Sequence, residues 1–143
     1  MKLSWALFWA LVAVFAIIAI VVFIPPARES IMNFHFLIIS GTIFSLLGVA
    51  LIFWTVKERM DGLLGKFLIL TGASAIGIFV SVLLHNAIYG LFIYWFGADF
   101  WDRIGLADEP FFFIMAIFVC PMGFLVGVVG SIVLTIKQLR AAK

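Results

Sequence analysis

Two histidines are the residues of this sequence best suited to chemistry, because each lies inside a long apolar segment that has few other polar groups. His35 lies near the start of one such segment and His85 near the end of the next. Both are expected at a similar membrane depth, and an imidazole nitrogen can coordinate a metal or a haem iron. One hypothesis is therefore a membrane electron carrier in which His35 and His85 bind a metal ion or a haem b.

Two carboxylates extend this hypothesis. Asp108 and Glu109 directly precede Pro110, at the start of the last apolar segment. There they can supply further metal ligands or orient a histidine ring. The candidate metal ligands are then His35, His85, Asp108 and Glu109.

Other polar side chains near His85 favour a different ligand. Asn86 follows it directly and Tyr89 lies one helical turn further on. Together with His85, these side chains can hydrogen-bond the head group of a quinone or a lipid. A quinone- or lipid-binding module is thus a second alternative, with Asn86 and Tyr89 in its pocket.

The simpler interpretation is that the histidines are structural. A histidine near a membrane interface can hydrogen-bond a serine, a backbone carbonyl or water. Apart from Lys66 at one border, no charged residue falls clearly within an apolar segment, whereas proton relays and ion-coupled transporters usually place one there. The leading expectation is that no cofactor is bound and that the chain is not an enzyme.

The composition defines the elements that must position these residues. The chain has 143 residues, of which 66% are hydrophobic and 11% charged, and its mean hydropathy is +1.33. Four apolar runs are long enough to cross a hydrocarbon core about 30 Å thick. We predict an all-α integral membrane protein, a single domain over 1–143 with four transmembrane helices in an antiparallel bundle. The predicted spans are 4–24, 31–56, 66–89 and 110–136.

Local signals refine the helix boundaries. Pro25 and Pro26 should end the first helix and open a loop, in which Glu29 and Ser30 are placed to cap the second helix. The third apolar run continues to Phe96, too far for one span, so a break near Gly90 and a short interfacial helix are expected. In the fourth helix, Pro121 predicts a kink.

The basic residues predict the orientation. If the N-terminus is cytoplasmic, seven of the nine Lys and Arg residues lie on the cytoplasmic side, namely Lys2, Lys57, Arg59, Lys66, Lys137, Arg140 and Lys143. The positive-inside rule favours this arrangement. We therefore expect both termini in the cytoplasm. The expected location is the cytoplasmic membrane of a prokaryote.

Small residues predict where the third and fourth helices meet. In a membrane, helices associate through close backbone approach rather than through burial of apolar side chains. A spacing of four residues occurs in each helix, at Ala73, Gly77 and Ser81 and at Gly123, Gly127 and Ser131. Ala75 is expected to face away from this seam.

Together these features favour a structural or accessory subunit that packs in or beside a membrane complex. Its expected partners are the lipid bilayer and other membrane subunits or copies of itself. The sequence has no basic run suited to nucleic acid.

Overall fold

Long helices account for most of the chain. The structure is a computed structural model that describes residues 2–141, with side chains from Leu3 onward. Four helical segments are long and apolar enough to cross a membrane, as the four apolar runs of the sequence predicted. They are α1 (Lys2–Phe23), α3 (Phe34–Lys57), α4 (Gly62–Phe96) and a composite fourth span over Pro110–Ala141. No β-strand occurs within residues 2–141.

The connection between the first two spans differs from the prediction. Residues Pro25–Ile31 form a short helix, α2, rather than a loop. Pro25 and Pro26 occupy its first positions, where a missing N–H costs nothing, so they begin one helix as well as ending another. Glu29 lies inside α2 and does not cap the second span. The cap is Asn33, whose side chain accepts a hydrogen bond from Phe36 N at 2.8 Å.

The third span, α4, is one uninterrupted helix of 35 residues. The predicted break near Gly90 is wrong, because one glycine costs a helix only about 1 kcal/mol and no proline follows it before Gly97. The helix ends at Gly97, whose φ of 97° suits glycine. Its last turns also gain contacts, since Phe92 and Phe96 pack against Phe100 at ring distances of 5.2 and 5.1 Å.

The fourth span changes its hydrogen-bond register near Pro121. It consists of α6 (Pro110–Ile114), a π-helical turn over Met115–Val119 and α7 (Cys120–Ala141). Cys120 N donates to Met115 O, five residues back. The departure from α geometry expected at this proline takes the form of a π turn in the residues just before it.

Apolar and aromatic side chains fill the centre of the structure. The fully buried core contains Phe8 of α1, Phe44 and Leu51 of α3, Leu68 of α4 and Phe124 of α7. Phe15 of α1 stacks on Phe124 with ring centroids 4.5 Å apart. Because Phe44 also contacts Phe124 at 5.4 Å, this aromatic cluster connects three of the four spans.

The helix α4 packs against α3 on one side and α7 on the other. At the α3 contact, a Cβ added to Gly48 or to Gly72 would lie 2.7 Å from the other glycine's carbonyl oxygen. At the α7 contact, a Cβ on Gly127 would lie 2.8 Å from Thr71 N and 3.0 Å from Phe67 O. Both interfaces therefore require glycine for close backbone approach.

The predicted small-residue seam needs one correction. Cβ atoms added to Gly77 and Gly123 would collide with Cys120 and Ser74, and Ser81 and Ser131 are buried. Ala73, however, is exposed, so it does not belong to the seam. Ala75 is fully buried, but against α3, where a Cβ added to Gly48 would lie 3.2 Å from the Ala75 Cβ. Because α4 packs against two helices at once, a residue outside the α4–α7 seam can still be buried.

Candidate functional site

A cluster of one histidine and two carboxylates lies where α4 meets the start of the fourth span. Thr71, Ser74, Ser81 and His85 recur at intervals of three and four residues or their sums, so they share one face of α4. Thr71 and Ser74 on this face meet the glycines of α7. His85 thus extends the α4–α7 interface toward Glu109, and its side chain is 17% exposed.

The loop that brings the carboxylates to His85 is held by aromatic packing. Trp101 lies in the one-turn helix α5 (Phe100–Arg103) and is buried. Its indole N–H donates to Tyr89 O at 3.3 Å, and its ring stacks on the Tyr89 ring at 5.8 Å. Arg103 donates to Phe96 O and forms an ion pair with Asp99. These contacts fold the segment after Gly97 back onto the end of α4.

Glu109 caps the helix that follows. Its Oε1 accepts a hydrogen bond from Phe111 N at 2.8 Å, and its Oε2 accepts one from Phe112 N at 3.0 Å. Pro110 occupies the first helical position, and the carboxylate lies at the positive end of the helix dipole. The side chain of Glu109 is only 7% exposed, so these hydrogen bonds satisfy a carboxylate that solvent barely reaches.

His85 contacts both carboxylate residues. Its Nδ1 lies 3.1 Å from the Glu109 carbonyl oxygen and 3.4 Å from Glu109 Oε2. Its Nε2 lies 3.4 Å from Asp108 Oδ2. Because a carbonyl oxygen can only accept, Nδ1 is the nitrogen that carries a proton in this hydrogen bond. The ring also contacts Phe113 at 5.6 Å. We call His85, Asp108 and Glu109 the His85 cluster.

Asp108 is held by its own backbone neighbour. Its Oδ1 accepts a hydrogen bond from Glu109 N at 2.7 Å, and its side chain is 45% exposed. Its Oδ2 forms an ion pair with His85 Nε2 at 3.4 Å and no other hydrogen bond or ion pair among the described residues. The His85 cluster therefore has a buried side, formed by Glu109, and an accessible side, formed by Asp108.

The structure does not bring the second histidine to this cluster. His35 lies in the first turn of α3, is exposed, and has an edge contact with the Phe34 ring at 6.2 Å. Among the described residues, no hydrogen bond, ion pair or ring contact links it to His85. The two histidines are therefore not in direct contact, since the Asn33 cap begins α3 with His35 on an exposed side.

Asn86 and Tyr89, the two residues expected in a ligand pocket with His85, have different contacts. Asn86 is exposed and donates through Nδ2 to Val82 O of its own helix at 2.8 Å. Tyr89 instead stacks on Trp101. These two side chains therefore contact different neighbours, and neither contact involves His85.

Sequence reasoning did not identify the structural role of Trp101. A signal was present in α4, where Tyr89, Phe92 and Phe96 recur every three or four residues beyond the expected span. Aromatic side chains in a row on that part of a helix indicate that another segment packs against them. Phe100 and Trp101 make this contact.

The chemical capacity of the site is limited. No group of three or more His, Cys, Asp or Glu side chains within the described chain is arranged to hold a metal ion. Glu109 is used as a helix cap, and His85 bonds to its backbone carbonyl. Comparison with protein-family models, with curated proteins and with solved structures finds no match to this chain.

Proposed function

We propose that this chain is a non-enzymatic integral membrane protein, a structural or accessory subunit that packs in or beside a membrane complex. The observation that carries the proposal is that the side chains best suited to chemistry make structural hydrogen bonds. His85 bonds to the Glu109 carbonyl, Glu109 caps the fourth span, and Asn86 bonds to its own helix. In this role the His85 cluster is a structural clamp that fixes the start of the fourth span to α4.

An antiparallel arrangement of neighbouring spans belongs to this proposal, and the close contacts support it. In the pair α3–α4, Gly41 lies against Phe79 and Gly48 lies against Gly72, so the residue number rises in one helix as it falls in the other. In the pair α4–α7, Gly123 lies against Ser74 and Gly127 against Thr71. Each pair thus runs in opposite directions.

The proposed orientation places both termini in the cytoplasm. Lys57, Arg59 and Lys66 flank the α3–α4 connection, and Lys137 and Arg140 lie in the last turns of α7. Five of the seven acidic residues lie at the opposite end, Glu29 in α2 and the others around α5 and the Glu109 cap, namely Asp99, Asp102, Asp108 and Glu109. Lys2 and Lys143 also belong to the predicted cytoplasmic side. The Lys2 side chain and Lys143 lie outside the described residues. This distribution matches the positive-inside rule.

The outward faces of the spans supply the contact surface. Large apolar side chains on every span are exposed, among them Ile17, Leu46, Val80 and Val129. In a bilayer these faces meet lipid or another transmembrane chain, and the proposed partners are other membrane subunits or copies of this chain. The function proposed here is thus exercised through packing.

Purification from the native membrane in mild detergent tests this function. We expect native mass spectrometry to find the chain in a complex with other protein chains, without a stoichiometric chromophore. An absorption spectrum and metal analysis of the same sample provide the second readout. A haem Soret band that disappears in His85→Ala would contradict the proposal, as would a chain present only as a monomer.

A further inference from the structure

We propose that a groove between α3 and α4 binds an anionic phospholipid, with the lipid phosphate on Lys57 and one acyl chain along the apolar lining. The groove has a volume of about 480 Å³. Its lining consists of one lysine and five apolar side chains, namely Lys57, Val49, Ile52, Phe53, Val56 and Ile76. The proposal goes beyond the packing role, because it names a lipid class rather than a protein partner, and it rests only on the membrane location of the chain.

The groove lies beside the close contact between α3 and α4. Gly48 and Gly72 bring the two backbones together there. A Cβ added to Gly48 would lie 3.2 Å from Ile76 Cγ1, and one added to Gly72 would lie 2.8 Å from Ile52 Cγ1. The two isoleucines therefore flank the glycine contact and form part of the groove walls. The groove is thus built on a close contact between two helices and not on a loop.

The apolar lining extends from Lys57 toward the middle of the membrane span. Lys57 is the last residue of α3. Val49 precedes it in the same helix, at a separation of about 12 Å along the axis. The side chains of Val49, Phe53 and Val56 are each more than half exposed, so they can contact a bound chain. A groove that runs from the membrane border inward has the direction that an acyl chain takes from its phosphate.

The ammonium group of Lys57 is positioned by two aromatic rings but has no anionic partner. It lies 4.1 Å from the Trp54 ring centroid and 5.7 Å from that of Phe53. Within residues 3–141, whose side chains the structure describes, it has no hydrogen bond and no ion pair. An ammonium group has three N–H donors, which need oxygen acceptors on the side away from the rings. A lipid phosphate at the membrane border supplies these oxygens and the opposite charge.

The other charges around the α3–α4 connection also favour an anionic ligand. Arg59 and Lys66 are exposed there, as is the acidic Asp61. The second acid, Glu58, already accepts a hydrogen bond from the Ser4 hydroxyl at 2.9 Å. Basic side chains therefore outnumber the acids, and the excess positive charge attracts an anionic head group.

A second groove of similar size, between α4 and α7, provides an internal comparison. Its lining contains apolar residues and one glycine but no charged side chain. It can accommodate an acyl chain, but its lining offers no cation to a phosphate. We therefore assign the preference for an anionic lipid to the α3–α4 groove.

A lipid titration of the full chain tests the site. The delipidated protein in a neutral detergent is titrated with dioleoylphosphatidylglycerol, and native mass spectrometry counts the bound lipid. Dioleoylphosphatidylcholine is the control lipid, because it has the same acyl chains and no net charge. We expect the anionic lipid to bind more tightly. Lys57→Gln should weaken its binding about fivefold, the effect of one basic residue near an anionic membrane surface.

Three further variants separate the head-group contact from the acyl-chain contact. Lys57→Arg keeps the charge and should keep the preference for the anionic lipid. Val49→Trp fills the groove from an exposed position and should weaken binding of that lipid. The matched control is Lys137→Gln, which removes a basic residue at the same end of the bundle, on α7, and should have no effect. Thermal unfolding without added lipid shows whether each variant is folded.

Several results would overturn the proposal. They are equal binding of the two lipids, an unchanged preference in Lys57→Gln or Val49→Trp, and an equal loss in Lys137→Gln. Displacement of the lipid by inorganic phosphate would also overturn it, because the acyl chain would then contribute nothing. None of these results would affect the packing function, which is tested on native protein complexes.

Discussion

At the scale of single residues, the cost of polar groups near a membrane explains the His85 cluster. A carboxylate that solvent barely reaches is stable only when its oxygens are hydrogen-bonded or paired with positive charge. Glu109 meets this condition through two backbone N–H groups and the dipole of the helix it caps. Its capping role is therefore sufficient to explain why an acidic residue occurs at this position.

Removing the cap should destabilise the protein. Glu109→Ala leaves the N–H groups of Phe111 and Phe112 without their acceptor, and we expect a loss of about 1–2 kcal/mol in unfolding free energy. Glu29→Ala is the control, since Glu29 is an exposed acid of the short helix α2. Thermal unfolding in detergent measures both variants. Equal unfolding temperatures for the two would contradict the capping role.

The corrected packed face of α4 gives a second prediction from two alanines. Ala75→Leu inserts a larger side chain at a fully buried position and should cost about 1–3 kcal/mol. Ala73→Leu adds the same atoms two residues away on an exposed face and should change stability little. Unfolding temperatures of the two variants, compared at equal detergent concentration, provide the measurement. A larger loss in Ala73→Leu would restore the originally predicted seam.

At the scale of elements, α4 organises the structure because both α3 and α7 pack on it through small residues. Gly127→Ala places a Cβ 2.8 Å from Thr71 N and 3.0 Å from Phe67 O. Since these are backbone atoms, the helices must move apart, and we expect lower stability than in the wild type. The separation should be visible as a loss of thermal stability in detergent.

The continuous helix beyond the expected span predicts the opposite effect at another glycine. A Cβ at Gly90 would meet no atom within 4 Å. Gly90→Ala should therefore stabilise α4 by up to about 1 kcal/mol, through helix propensity alone. Thermal unfolding beside Gly127→Ala is a matched comparison of the same substitution. A clear destabilisation by Gly90→Ala would indicate a non-helical conformation at this position.

The sequence predicted the spans better than the elements between them. Apolar runs of membrane length identify spans by themselves, whereas the helix α2 and the continuation of α4 depend on contacts between distant residues. The packing of Phe92 and Phe96 on Phe100 is one such contact. Periodicity also could not show that Ala75 packs while Ala73 does not, because this depends on how many neighbours α4 has.

The sequence identified the residues of the candidate site but not which of them contact one another. His85, Asp108 and Glu109 were identified, since each is a polar residue at the edge of an apolar run. His35 was expected as the partner of His85 because equal depth was taken to imply contact, and no direct contact between the two occurs among the described residues. The Asn33 cap determines where α3 begins and thus which side His35 faces. That side depends on the exact start of the helix, which sequence patterns locate poorly.

At the scale of the whole molecule, the proposed orientation gives a prediction for reporter fusions. A reporter that works only in the cytoplasm should be active when it is fused after Lys143 or inserted in the loop at 58–61. A reporter that works only outside the cytoplasm should be active when it is inserted at 104–107. The reason is the excess of basic residues at the first two positions. A cytoplasmic signal from 104–107 would contradict the proposed topology.

We propose that His85 is the structural partner of the Glu109 cap, and a double-mutant cycle tests this role directly. His85→Ala, Glu109→Ala and the double variant are unfolded by heat in detergent with a chelator present. Residues in contact couple by about 0.5–3 kcal/mol. We predict a coupling at the lower end of this range, because Glu109→Ala removes Oε2, 3.4 Å from His85 Nδ1, but keeps the backbone carbonyl that accepts from it. A parallel cycle of His35→Ala with His85→Ala should be additive. Strict additivity between His85 and Glu109 would contradict the structural role of His85, and coupling between the two histidines would contradict their separation.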